Sequence, residues 1–171
     1  MNKNQVVLSI AAFCLIAVPS ANSQQDQGNS RVRSFNGHKY TFVPDQVRWR
    51  DANKQSAEMG GHLVTITSKG EQAFIEEFLK SQGDSGNCTW LGFSDDEKEG
   101  QWEWVTCEEV KFTNWGPGQP DNGYGCQNYA WIGWYGNGLW DDNLEGAKLP
   151  FIVENDYVSS GVGRRSNLRS K

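Results

Sequence analysis

The 171-residue chain lacks an apolar run long enough to cross a bilayer, a repeat of fixed period, and a basic stripe interleaved with aromatics. No membrane span is therefore expected. A solenoid, a collagen helix and a coiled coil are excluded by the missing period. The missing basic stripe makes nucleic acid a poor partner, and phosphates would be repelled by so acidic a domain. Histidine is scarce as well: His38 and His62 are the only two, and their placement suggests neither metal binding nor catalysis. Each is expected to be simply packed or exposed.

What is present points to one globular domain with ends of different character. Residues 1–23 read as a secretory signal peptide, with Lys3 before the apolar run from Val6 to Val18 and a small-residue cleavage site at Ala21 and Ser23. Cys14 falls inside this segment, so the mature chain keeps Cys88, Cys107 and Cys126 in a secreted, extracellular (or periplasmic) and oxidising setting. Residues 24–33 form a polar linker, 34–157 the folded unit, and 158–171 a basic, low-hydrophobicity tail. From Ser34 to Tyr157 there are 20 acidic and 9 basic side chains, whereas Arg31, Arg33, Arg164, Arg165, Arg169 and Lys171 flank that stretch. A cation suits such a domain.

Within the domain, Trp49, Ala52, Ser56 and Ala57 fall at helical spacing and run into Gly60-Gly61, which predicts a helix over 48–59 closed by a left-handed residue. His62 to Ile66 reads as a strand. Ser68 with Glu71 forms a capping box ahead of the stripe Phe74, Ile75, Phe78 and Leu79, predicting a second helix that stops near Ser81. The period then changes to two, with Trp90 to Phe93 and Trp102 to Val105 flanking a polar turn from Asp95 to Gly100. A turn centred between Glu97 and Lys98 would pair Phe93 with Trp102, Leu91 with Trp104, and Cys88 with Cys107. That register predicts a Cys88–Cys107 disulfide contributing about 3 kcal/mol, less any strain of the cross-strand geometry.

The stretch from Asn114 to Asn143 is rich in Gly, Asn and Trp, and is too long for an ordinary loop without a functional reason. Tyr129 to Ile132 and Pro150 to Glu154 read as central strands, the second pairing near the start of the domain. Two helices, several strands and one long loop make the fold class α+β. Trp90, Trp102, Trp104 and Trp115 are expected in the core, and Trp140 as an anchor for the aspartates after it.

Gly-Gly-His-Leu-Val at 60–64, Trp-Leu-Gly-Phe at 90–93, Glu-Gly-Gln-Trp-Glu-Trp at 99–104, Asn-Trp at 114–115, Gln-Pro-Asp at 119–121 and Trp-Asp-Asp at 140–142 occur in this order. Together they resemble the C-type lectin family over nearly the whole domain. The resemblance implies two helices flanking antiparallel sheets, no catalysis, and a long loop that holds Ca2+ beside a cis Gln119–Pro120 bond. Matched residue by residue, the calcium ligands would be Gln119, Asp121, Gln127, Asp141 and Asp142. Calcium takes about six to eight oxygens, which short amide and carboxylate side chains on an irregular loop can supply.

The same resemblance implies that Gln119, Asp121, Gln127 and Asp141 bind the hydroxyls of a carbohydrate, with Tyr124, Trp134 or Tyr135 against its apolar face. Gln-Pro-Asp resembles the pattern of galactose binders, which makes galactose or GalNAc the expected sugar. The family's usual place for the stacking ring falls on Gly123. A second metal position would fall on Asp95, Glu99, Asn122 and Asn128, although Asp95 and Glu99 also suit a solvated hairpin turn. The family's usual bridge positions fall on Ser56, Val153, Tyr129 and Glu145, so neither bridge can form. Cys126 is expected to be a small buried thiol. Weak monovalent sugar binding favours a homo-oligomer. Two other readings compete: a calcium-independent module of the same fold that binds protein, ice or a cell surface, and a glycoside hydrolase built on Asp121 and Asp142.

Overall fold

The computed structural model describes residues 30–83, 88–134 and 137–156, the side chain of Trp134 excepted. The signal segment, Tyr135 and the C-terminal tail lie outside the described residues. The chain begins with a hairpin of β1 (Val32–Phe35) and β2 (His38–Val47), continues through α1 (Trp49–Glu58), β3 (His62–Leu63) and α2 (Lys69–Ser81), then β4 (Thr89–Ser94) and β5 (Glu103–Trp104). It finishes with β6 (Gln127–Trp134), β7 (Leu139–Leu144) and β8 (Leu149–Asp156). This is the expected α+β fold, with a sheet ordered β1-β2-β8-β4-β6-β7, β3 on β8 and β5 on β4. Among the described residues, regular structure starts at Val32, inside the stretch read as linker.

Local sequence explains both helices. In α1, Trp49, Ala52 and Ser56 face inward, Trp49 Nε1 donates to the Leu91 carbonyl at 2.7 Å, and Gly60 leaves the helix with φ +77°. Ala57, placed on the apolar stripe by spacing, is exposed. In α2, Ser68 accepts from the Glu71 N–H at 3.2 Å. The reciprocal half of the capping box goes elsewhere: Glu71 accepts from the Thr67 N–H at 2.8 Å and from the Tyr40 hydroxyl at 2.7 Å.

The last strand pairs antiparallel with β2, His38 opposite Asp156 and Val43 opposite Phe151, as the sequence led us to expect. The β2 strand also receives the entering chain, since Phe42 N–H donates to the Arg31 carbonyl at 2.7 Å. Only His62 and Leu63 of the run 62–66 form a regular strand. Val64 bonds both ways, donating to Ile152 and accepting from Gly92, and so ties β8 to β4.

The hairpin forms in a different register. Phe93 lies opposite Trp104 and Ser94 opposite Glu103, two residues along from the expected pairing. The turn is longer than assumed because Asp95 organises it: its carbonyl accepts from Lys98 N–H and its carboxylate from Gly100 N–H at 2.8 Å. Past Trp104 the chain turns away, with Cys107 at φ +60°. The Cys88–Cys107 disulfide therefore does not form; Cys88 is a half-buried free thiol, and Cys107 and Cys126 are exposed free thiols. Exposure at Cys126 also corrects the expectation of a buried one.

Stabilisation falls instead to aromatic packing. Trp104 stacks on Phe93 at 4.1 Å, Trp115 meets Trp102 edge-on at 4.7 Å, and buried Trp140 makes edge contacts to Phe93, Trp104, Phe112 and Trp115. Such offset and edge geometries favour ring pairs beyond their buried area. Near Tyr129 and Glu145, where the second bridge would fall, Arg50 pairs with Asp96 and Glu145 and lies 6.0 Å from the centre of the Tyr129 ring. An ionic and cation–π contact occupies the region of the missing covalent one.

Candidate functional site

The loop between β5 and β6 is lashed to β7 from below. Trp140 N–H donates to Asn114, and Gly116 N–H to Trp140, at 2.9 and 2.8 Å. Trp140 Nε1 also donates to Gln72 Oε1 at 2.9 Å, joining the anchor to α2. The strand carrying Trp140, Asp141 and Asp142 had been read as loop, because Leu-Trp-Asp-Asp-Asn-Leu is poor in β-formers. It forms because consecutive residues pair with β6: Ile132 opposite Trp140, Trp131 opposite Asp141, Ala130 opposite Asp142.

Above this anchor the chain makes a cis Gln119–Pro120 bond. Asp142, 1% exposed, holds the residues that follow: its two carboxylate oxygens accept from the N–H groups of Asp121 at 3.0 Å and Asn122 at 2.7 Å. Gln127 Nε2 donates to the Asp142 carbonyl at 2.9 Å, which fixes the amide and leaves Oε1 free to face the loop. A Cβ placed on Gly123 would stand 2.1 Å from that Oε1 and 3.4 Å from Asp121 Oδ1. Gly123 is thus a cradle, and a stacking ring could not be added there without displacing the Gln127 amide. Asn122 Oδ1 accepts from Gln127 N–H at 3.1 Å.

These bonds join Asp121, Gln127 and Asp142; Asp141 precedes Asp142 in β7, and Gln119 stands at the cis bond two residues before Asp121. The electrostatics of the group call for a cation. Burial, and then the neighbouring charges of Asp142 and Asp121, raise the Asp141 carboxyl to about 6. Gln119 Oε1 is buried and has no hydrogen-bond partner among the described residues. An orphaned buried oxygen is costly unless something meets it. Among the described residues no three His, Cys, Asp or Glu side chains form a metal cage by themselves, so a hard cation here would depend on amide and carbonyl oxygens as well. The donor set is all oxygen and fits calcium.

The second set is split. Asp95 is 3% exposed, with Oδ1 unpartnered among the described residues, while Glu99 and the 96–100 turn are exposed. Burial, followed by the charge of Glu99 and then Asp142, raises the Asp95 carboxyl, partly offset by the Gly100 N–H. Asp95 is therefore not the solvated turn residue its sequence context suggested. Its N–H donates to the Asn128 carbonyl at 3.2 Å, which brings the hairpin turn against the start of β6. Of the candidate sugar-facing rings, Tyr124 is 98% exposed at φ +62°. The Trp134 side chain and Tyr135 lie outside the described residues.

Local pattern reading missed one polar centre. Glu154, 2% exposed, accepts from Thr65 N–H at 3.0 Å and Tyr40 hydroxyl at 3.2 Å, and lies 2.9 Å from His38 Nδ1 and 4.0 Å from His62 Nδ1. Burial, and then Glu71, raise its carboxyl. Burial and these two carboxylates drive the Tyr40 hydroxyl far above its ordinary range. No single-segment signal could have placed together residues up to 114 positions apart.

Comparison with known proteins bears on the loop. A family profile described as the lectin C-type domain matches residues 45–154. The lectin BRA-3 of Megabalanus rosa is 30% identical over 149 residues, covering 84% of this chain and 86% of that protein. Perlucin of Haliotis laevigata is 34% identical over 133 residues, 77% of this chain and 85% of that protein. In fold, the C-type lectin CEL-I of Cucumaria echinata superposes with a TM-score of 0.69 at 24% identity, covering 75% of this chain and 97% of that one.

Proposed function

We propose, from the premise that the chain belongs to the C-type lectin domain family, that it is a secreted protein that binds carbohydrate through a loop-bound calcium ion. The family binds sugars without catalysis, and the hydrolase alternative falls with that membership. The observation that carries the calcium reading is the unpartnered Gln119 oxygen at the cis peptide, with support from the Asp141 carboxyl, which burial and the charges of Asp142 and Asp121 raise.

Gln119, Asp121, Gln127, Asp141 and Asp142 would hold the ion, and three carboxylates would offset its charge. Calcium bound there would supply open coordination places for two neighbouring sugar hydroxyls. Asp142 keeps Asp121 in place through its backbone bonds, and Gln127 is oriented by the Asp142 carbonyl. Gln119, Asp121, Gln127 and Asp141 would hydrogen-bond the hydroxyls. Exposed Tyr124 would cover the apolar face of the ring. The order Gln-Pro-Asp supports galactose or GalNAc, and Asp95 with Glu99, Asn122 and Asn128 is the place for a second calcium. Weak single-site affinity would make a homo-oligomer the effective binder.

A second reading rests on the brace itself. Both Asp142 oxygens already hold N–H groups, so protein contacts alone could keep the loop in shape for a calcium-independent partner such as a protein, ice or a cell surface. One experiment separates the two. Retention on immobilised galactose and GalNAc, measured with calcium and with EDTA, is expected only with calcium; binding unchanged by EDTA rejects the calcium reading.

A further inference from the structure

At the far end of β8 from Leu149, a cavity of about 330 Å³ opens between the β1–β2 hairpin, the start of α2 and the segment after β5. Its wall carries four carboxylates, Glu71, Glu108, Glu154 and Asp156, and no lysine or arginine. Lys39 and Lys69, next in sequence to wall residues, are not part of the lining, while Arg33 pairs with Glu77 at 3.3 Å and lies over Phe78, and Lys111 pairs with Glu109. Phe35 adds a partly exposed ring to the same wall.

The chain supplies the complement. β8 ends at Asp156, which is itself part of the wall, and the sequence continues into residues 157–171, with Arg164, Arg165, Arg169 and Lys171 and no acidic residue. We propose that this cavity is the docking site of the chain's own basic tail, received through Arg164 and Arg165.

Reach, charge and shape agree. Arg164 follows Asp156 by eight residues, and eight extended residues span about 26 Å. So short a tether holds the tail at roughly millimolar effective concentration. A guanidinium donates several hydrogen bonds in one plane and stacks on ring faces, which matches carboxylates beside Phe35 better than an ammonium would. It would also place a fixed positive charge near Glu154, whose burial disfavours ionisation. The docking does not depend on calcium in the β6–β7 loop and can fail while that reading stands.

The full chain is the material for the test. Trypsin cleavage after Arg164 and Arg165, followed by mass spectrometry, is compared with cleavage of a synthetic peptide of residues 157–171, and side-chain NMR follows His38 and His62. Docking predicts that the tail in the chain is cut about tenfold more slowly than the peptide in low salt, and that high salt removes the protection. It also predicts that R164S/R165S shifts both histidine signals. E108Q/D156N, which alters only exposed rim groups, should weaken the protection without altering the thermal unfolding transition. Equal cleavage of tail and peptide in low salt, with histidine signals unmoved in R164S/R165S, overturns the proposal. Protection that grows with protein concentration overturns the intrachain form. Histidine signals that respond to added calcium and ignore the tail variant overturn it in favour of an ion.

Discussion

Around Glu154, acidic groups are shared out among donors: Tyr40, Thr65 and Thr67 take up oxygens of Glu71 and Glu154, and His38 Nδ1 lies 2.9 Å from Glu154. Around Asp141, the acids face one another, and the donors they have are mostly backbone N–H groups of the same loop. The first arrangement joins four elements, β2, β3, α2 and β8, into one fold. The second gathers Asp121, Asp141 and Asp142 beside the loop that precedes β6. Two regions of similar composition therefore differ in how their acids are partnered.

The largest expected effect breaks the first region and spares the second. E154A leaves the Thr65 N–H without its acceptor and Tyr40 with Glu71 alone, and is expected to cost about 3 kcal/mol in chemical unfolding; a folded fraction should keep its calcium-induced rise in melting temperature. D142A is next. It frees the N–H groups of Asp121 and Asn122, with an expected loss of about 2 kcal/mol in the absence of calcium, and calcium should no longer raise the melting temperature. If D142A still responds to calcium, the loop site is elsewhere.

D121N sharpens the contrast, since it removes a charge without emptying space. Calorimetry with calcium should show affinity reduced at least about tenfold, with metal-free stability within about 0.5 kcal/mol of the parent. The proton is the next probe. Asp141 titrates near 6 in the fold against about 3.9 in an unfolded chain, so its ionised form burdens the folded state. The metal-free protein should therefore gain stability as the pH falls through about 6, and calcium affinity should fall over the same range because protons compete for the ligand. D141N should remove its share of that trend, leaving the shares of Glu154 and Asp95, whose carboxyls are raised as well. The smallest effect belongs to Y124A, expected to weaken sugar binding by about 0.5–1.5 kcal/mol with unfolding unchanged.

Both helices were legible because capping, glycine stops and apolar spacing act within a few residues, as Ser68 and Gly60 illustrate. The Gln-Pro-Asp and Trp-Asp-Asp segments were legible as a resemblance, and the structure brings them together through Asp142. The hairpin register was not, because it depends on how many residues the Asp95 carboxylate gathers into its turn, and the cysteine pairing fell with it. β7 was hidden because Asp141 and Asp142 obscure its alternation, and only pairing with β6 restores it. Glu71 shows the limit most clearly. Its spacing from Ser68 announces a cap, yet its carboxylate serves Thr67 and Tyr40, and the Tyr40 hydroxyl links it to Glu154 in the last strand.

The pairing of β2 with both the entering chain and β8 carries a consequence for engineering. Arg31 meets β2 at Phe42 and Asp156 meets it at His38 from the other side, so entry and exit lie about 15–20 Å apart by strand spacing and rise. A unit whose ends nearly meet can be spliced into a surface turn of an unrelated host, or strung on short spacers, with its recognition face still pointing outward.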